Sequence, residues 1–207
     1  MSDAVRVKIC GVTTVNDALV CAEAGADAIG LNFWSRSQRS IDLARAAEIS
    51  RALPAGVMKV GVFVDAARDA ILRAIEAASL DAIQLHGDEN PEDCCGFAVK
   101  VIKAIRVPRT GESPAGIADR YRVDYILLDA DAGPDYGGSG RTFDWRLAAG
   151  VARGRLFLAG GLRPENVAAA VQAAAPYAVD TASGVEIAPG RKDAQRVREF
   201  IEHAKHA

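Results

Sequence analysis

The chain of 207 residues predicts an α/β fold: one closed (β/α)8 barrel of the TIM type. Three observations lead there. Short runs of branched apolar residues alternate strictly with longer alanine-rich segments of helical period, the pattern of parallel strands joined by crossover helices. The alternation occurs eight times. At about 26 residues per unit, eight units consume the whole chain, so residues 1–207 read as a single domain without room for another. An open dinucleotide-binding sheet would want Gly-x-Gly-x-x-Gly after its first strand. Here that turn is Cys10-Gly11-Val12-Thr13-Thr14, with one glycine.

The elements follow in order. Val5–Ile9 is the first strand, and Val15–Ala24 its helix, stopped by Gly25. Asp27–Phe33 leads to the helix Ile41–Leu53, which Pro54 ends. Val57–Val64 leads to Ala67–Ala78, and Asp81–Leu85 to a short helix near Pro91–Phe97. Val99–Ile105 is backed by Pro114–Arg120, and Asp124–Leu128 by a longer loop and then Asp144–Ala149. Leu156–Ala159 is followed by Pro164–Ala174, and Tyr177–Asp180 by the last helix, Ala194–Lys205.

Composition narrows the function. The 25 basic and 27 acidic residues leave a formal charge of -2, which argues against a nucleic-acid partner and for a small molecule. No apolar run approaches the ~18 residues of a membrane span. Met-Ser-Asp-Ala at the start lacks the basic-then-apolar pattern of an export signal. Four cysteines without Cys-x-x-Cys spacing give no metal site and read as free thiols in the cytoplasm.

In such a barrel the chemistry sits at the C-terminal strand ends, and residues two apart share a strand face. Val5, Val7 and Ile9 then face the helices, while Lys8 and Cys10 face the axis. A lysine beside a thiol favours the thiolate; Cys10 also reads as an ordinary buried thiol. Arg36 and Arg39, in the loop after the second strand, suit a carboxylate or phosphate, or else plain solvent. Gln84 and His86 share a face of the fourth strand, and His86 is an acid, a base, a donor or a structural group. Asp129 closes an apolar strand, where partial burial suits a general acid; capping or loop support is the alternative. Gly160-Gly161 and Ser183-Gly184 follow the seventh and eighth strands, where many barrels hold phosphate through backbone N–H groups. Tyr136-Gly137-Gly138-Ser139-Gly140 reads as a cover for the pocket or a plain surface loop.

Six motifs recur in order: Lys8-Ile9-Cys10-Gly11, Gln84-Leu85-His86-Gly87, Leu127-Leu128-Asp129, the run from Gly137 to Trp145, the run from Ala159 to Val167, and Val179 to Glu186. Together they resemble the phosphoribosylanthranilate isomerase family over essentially the whole chain. The resemblance implies a catalytic barrel of the ribulose-phosphate-binding type, working without cofactor as a monomer or homodimer. It implies an Amadori rearrangement in tryptophan biosynthesis, with Asp129 as general acid and Cys10 as general base. Arg39 matches the arginine that meets the anthranilate carboxylate, although Ser37-Gln38-Arg39 stands where the family often has Ser-Pro-Arg or Ser-Lys-Arg. Gly160, Gly161, Ser183 and Gly184 would hold the phosphate; Gln84, His86 and Asp180 would line the pocket. Other barrels of this type fit less well. Indole-glycerol-phosphate synthase wants a lysine–glutamate pair and a longer start, the α subunit of tryptophan synthase a longer chain. A bifunctional sugar isomerase wants aspartate in place of Cys10. A non-catalytic phosphate-binding barrel would keep the glycine turns and lose Cys10 or Asp129.

Overall fold

The computed structural model describes residues 4–107, 113–130 and 142–207. The loop Tyr136–Gly140 lies outside the described residues, as does most of the motif around it. Eight parallel strands close into a barrel in sequence order, and the first pairs with the eighth. They are β1 (Arg6–Cys10), β2 (Ala28–Asn32), β3 (Met58–Phe63), β4 (Ala82–Leu85), β5 (Lys100–Val107), β6 (Tyr125–Ala130), β7 (Leu156–Leu158) and β8 (Ala178–Thr181). The helices are α1 (Val15–Glu23), α2 (Leu43–Ala52), α3 (Arg68–Ala78), α4 (Pro114–Ala118), α5 (Val167–Ala174) and α6 (Ala194–Lys205).

Local chemistry places these boundaries. Thr14 caps α1 by accepting from Asp17 N at 3.1 Å, and Asp42 caps α2 from Arg45 N at 2.7 Å. Asp193 takes two N–H groups at the start of α6, from Gln195 at 2.9 Å and Arg196 at 3.1 Å. Asp27, Asp81 and Asp124, expected to open strands, stand one residue before them and do something else. Each carboxylate accepts a backbone N–H of the preceding strand: Val7 at 2.8 Å, Lys59 at 2.8 Å and Val101 at 2.9 Å. These contacts clip β1 to β2, β3 to β4 and β5 to β6 at the end where the strands begin.

Three expected helices differ from their sequence pattern in length, type or start. After β4 the chain makes only a 3-10 turn, Pro91–Cys94, in a segment whose glycines, proline and asparagine favour turns. After β6 a 3-10 helix, Trp145–Gly150, stands where Asp144–Ala149 was expected, and Asp144 caps it through Arg146 N. The seventh helix starts at Val167, not Pro164, because Asn166 Oδ1 folds back on Arg163 N at 2.9 Å. One element was not foreseen. After a 3-10 turn (Ser183–Val185), β9 (Glu186–Ala188) and β10 (Arg191–Lys192) form an antiparallel ribbon before α6.

The outward strand residues, among them Val7, Ile9, Ile83, Leu128 and Val179, pack against the helices. The inward ones fill the barrel. Tyr125 meets Phe157 edge-on at 5.2 Å and stacks on Tyr177 at 5.1 Å, closing the floor. Ala104 and Leu127 lie above them, and Lys8 pairs with Asp180 across the β1–β8 seam. The interior is therefore plugged from below, and its open space lies at the C-terminal strand ends.

Candidate active site

A cavity of about 430 Å3 opens there. Cys10, Arg39, Gln84, His86, Asp129, Gly160, Gly161, Asp180 and Ser183 all line it. Six separate strand ends thus deliver nearly every expected residue to one space. Gly184 stands beside it rather than on its wall: a Cβ there would fall 2.0 Å from Leu162 O, so its role is close packing.

On β1, strand alternation turns Lys8 and Cys10 inward, as the sequence implied. Lys8 is fully buried, and its ammonium donates to Asp180 Oδ1 at 2.8 Å. Burial works against its charge, but Asp180 and Cys10 outweigh it and raise the Lys8 pKa. Burial pushes the Asp180 carboxyl up, against the pull of the same ammonium. For Cys10 the expectation needs correcting. Burial raises the thiol pKa, and that effect exceeds the lowering by Lys8 and Lys192. Much of the Lys8 charge is already engaged by Asp180, which itself disfavours the thiolate. Beneath the sulfur, Gly30 keeps the space open: a Cβ there would lie 2.7 Å from Sγ.

On the opposite wall, Gln84 and His86 project from one face of β4 and its end. The Gln84 amide lies 2.7 Å from His86 Nδ1 and ties down the ring. His86 Nε2 then faces Asp129 Oδ2 at 3.3 Å, too far off line for a hydrogen bond. Asp129 keeps 8% exposure and lines the cavity. Gly160 and Gly161 have φ of +86° and +62°, which turns the chain sharply after β7 and brings it against Ala130 and Asp129.

Two side chains not singled out from the sequence complete the Arg39 side of the cavity. Glu186, on β9, grips Arg39 through both oxygens, with Nη2 to Oε2 at 2.6 Å and Nε to Oε1 at 3.0 Å. Lys192, on β10, reaches Glu186 Oε1 at 2.7 Å and the Cys10 carbonyl at 2.6 Å. The dipeptide Pro189-Gly190 was the available signal, since such a pair marks a tight turn between two strands. Arg36, the other arginine of the loop, stacks on Trp34 at 5.4 Å instead. Arg39 is the one built into the wall by an ion pair.

Among the described residues, no group of three or more His, Cys, Asp or Glu could hold a metal ion. The four thiols are unpaired, and no described helix is long and apolar enough to cross a membrane.

Comparison with known proteins agrees with this architecture. The family profile of N-(5'-phosphoribosyl)anthranilate (PRA) isomerase matches residues 7–203. The curated N-(5'-phosphoribosyl)anthranilate isomerase of Myxococcus xanthus is 52% identical, over 97% of this chain and 96% of its own. A crystal structure of phosphoribosyl anthranilate isomerase, in complex with reduced 1-(o-carboxyphenylamino)-1-deoxyribulose 5-phosphate, superposes with a TM-score of 0.86. It is 43% identical and covers 98% of this chain and 100% of its own. Monomers of the dimeric enzyme of Thermotoga maritima superpose at 0.85, with 41% identity and coverage of 98% and 100%.

Proposed function

The chain belongs to the N-(5'-phosphoribosyl)anthranilate isomerase family, and from that premise we propose how its residues share the work. It is an isomerase of tryptophan biosynthesis. Its substrate is N-(5'-phosphoribosyl)anthranilate, and its product is 1-(2-carboxyphenylamino)-1-deoxyribulose 5-phosphate. The observation that carries the assignment is that Cys10 and Asp129, on well-separated strands, line one cavity together with an arginine and a double-glycine turn.

Asp129 is the general acid. It donates a proton to the ribose ring oxygen, and the ring opens to a Schiff base. His86, held by Gln84, faces the carboxyl at 3.3 Å and orients it. The Cys10 thiolate then takes the C2' proton, giving an enolamine that tautomerises to the ketone. Hydrogen moves within one molecule, so the balance needs no external electron carrier. Gly160, Gly161 and Ser183 form the phosphate end, where glycine lets backbone N–H groups approach an anion, and Gly184, packed against Leu162 O, lets the chain pass behind them. Arg39 receives the anthranilate carboxylate at the other end, and Asp180 shapes the floor through Lys8. We place the reaction in the cytoplasm, in a monomer or homodimer; a Thermotoga relative described as dimeric supports the latter.

Loss of anthranilate-type fluorescence from substrate made in situ measures turnover. Cys10→Ala and Asp129→Ala should each reduce it at least ~100-fold, the usual worth of a general acid or base. A near-normal rate in either variant would remove that residue from the mechanism. The same variants should fail to rescue a tryptophan auxotroph that the unaltered chain rescues.

A further inference from the structure

Arg39 presents a difficulty of charge. Its guanidinium is already held through two nitrogens by the Glu186 carboxylate, whose side chain is 4% exposed. Burial opposes the Glu186 charge, but Arg39 and Lys192 overcome it and hold its pKa below the usual carboxylate range. An arginine neutralised by its own bidentate partner has no net charge left to attract an external carboxylate. The third member of the cluster resolves this. Lys192 has a side chain with no exposure, and its ammonium lies 2.7 Å from Glu186 Oε1. Its other contacts are neutral carbonyls, Cys10 at 2.6 Å and Ala182 at 3.3 Å. The Glu186 carboxylate is thus shared between two cations, and the cluster of Arg39, Glu186 and Lys192 carries one uncancelled positive charge. Asp17 accepts from the Lys192 backbone N–H at 3.2 Å. Lys192 cannot itself reach a ligand, because its side chain has no exposed surface. Arg39 retains 17% side-chain exposure on the cavity wall and can.

We propose that Lys192 is the positioning residue that makes Arg39 a receptor for the substrate carboxylate: it takes up the charge of Glu186 and leaves that of Arg39 for the ligand. The proposal rests on Arg39 as the carboxylate site and explains how that site works. The β9–β10 ribbon is what it requires structurally, because its register sets Lys192 opposite Glu186, which in turn holds Arg39. The carbonyl bonds to Cys10 and Ala182 also fix the strand end that carries the base.

The test compares binding of the product with binding of its analogue lacking the ring carboxyl, by calorimetry. The unaltered protein should prefer the product by at least ~10-fold, the scale of a partly desolvated charge pair. Lys192→Met should bind both ligands alike, with the analogue unchanged. Glu186→Gln adds to the net positive charge and should keep or widen the preference. The pair Lys192→Met with Glu186→Gln returns the cluster to one positive charge and should restore it. A merely structural lysine would not be rescued by a second substitution. If Lys192→Met keeps the full preference, or Glu186→Gln abolishes it, the charge-sharing role is wrong. If the unaltered protein does not distinguish the two ligands, the assignment of Arg39 itself fails, independently of Lys192. If Lys192→Met does not fold, Glu186→Gln alone decides between a charge effect and a mechanical clamp.

Discussion

At the scale of single residues, the Cys10 thiol sets the pH behaviour of the site. Burial raises its pKa, and the base form is the thiolate, so the thiolate fraction at neutral pH is below that of free cysteine. Inactivation by a thiol-alkylating agent, which needs the Cys10 thiolate and no general acid, should therefore quicken with pH from 7 through about 9, without levelling near the ordinary thiol value of about 8.5. A pH profile of the inactivation rate checks this; a plateau already at neutrality would contradict it. Lys8→Met should move the rising limb further up, because Lys8 lowers the Cys10 pKa. The same substitution strands Asp180 as a buried charge without its partner, so a loss of about 3–5 kcal/mol in urea unfolding is expected. The places of Cys10 and Asp129 at the cavity were legible in the sequence, Cys10 because strand alternation turns it inward and Asp129 because a carboxylate closes an apolar strand. Glu186 and Lys192 were not. Glu186 meets Arg39 across 147 residues of sequence, and Lys192 meets Cys10 across 182. No local period encodes such a contact.

Among the elements, the eight strands match the sequence expectation closely, since each is a short apolar run closed by turn residues. The errors fall where a helix is replaced by one or two 3-10 turns. Between β4 and β5 the segment from His86 to Val99 carries two glycines, a proline and an asparagine, which favour turns over a longer helix, and only the 3-10 turn Pro91–Cys94 forms. The aspartates at strand starts carry a separate lesson. Asp124 was assigned to a strand for its position, yet its function is to accept Val101 N at 2.9 Å. Asp124→Ala should cost about 1–2 kcal/mol through one lost charge-assisted hydrogen bond, seen as a fall in Tm. Turnover should be unchanged, since the clip lies at the end of the strands away from the cavity. Gly30→Ala, by contrast, should touch the chemistry as well. A Cβ 2.7 Å from Cys10 Sγ must displace the thiol, so kcat should drop severalfold while stability falls by about 1–3 kcal/mol.

For the molecule as a whole, the seam between β1 and β8 makes the barrel a ring with no privileged first strand. Arg6, which opens β1, bonds to Tyr177 O at 3.0 Å, at the end of the barrel away from the cavity. Lys205, which ends α6, reaches Asp27 at 3.0 Å and Gly25 O at 2.7 Å at that same end. Arg6 and Lys205, near the two ends of the described chain, therefore lie on one face, opposite the cavity. A short linker could join them, and the chain could be cut afresh at another turn on that face. Gly56, between α2 and β3, is the natural place, because nothing lies within 4 Å of where its side chain would be. Such a circular permutant, starting near Val57, should retain turnover within about tenfold of the parent order, provided the ring re-forms its seam. Every residue assigned to the reaction would then occupy a new place in the reading order and the same place in space.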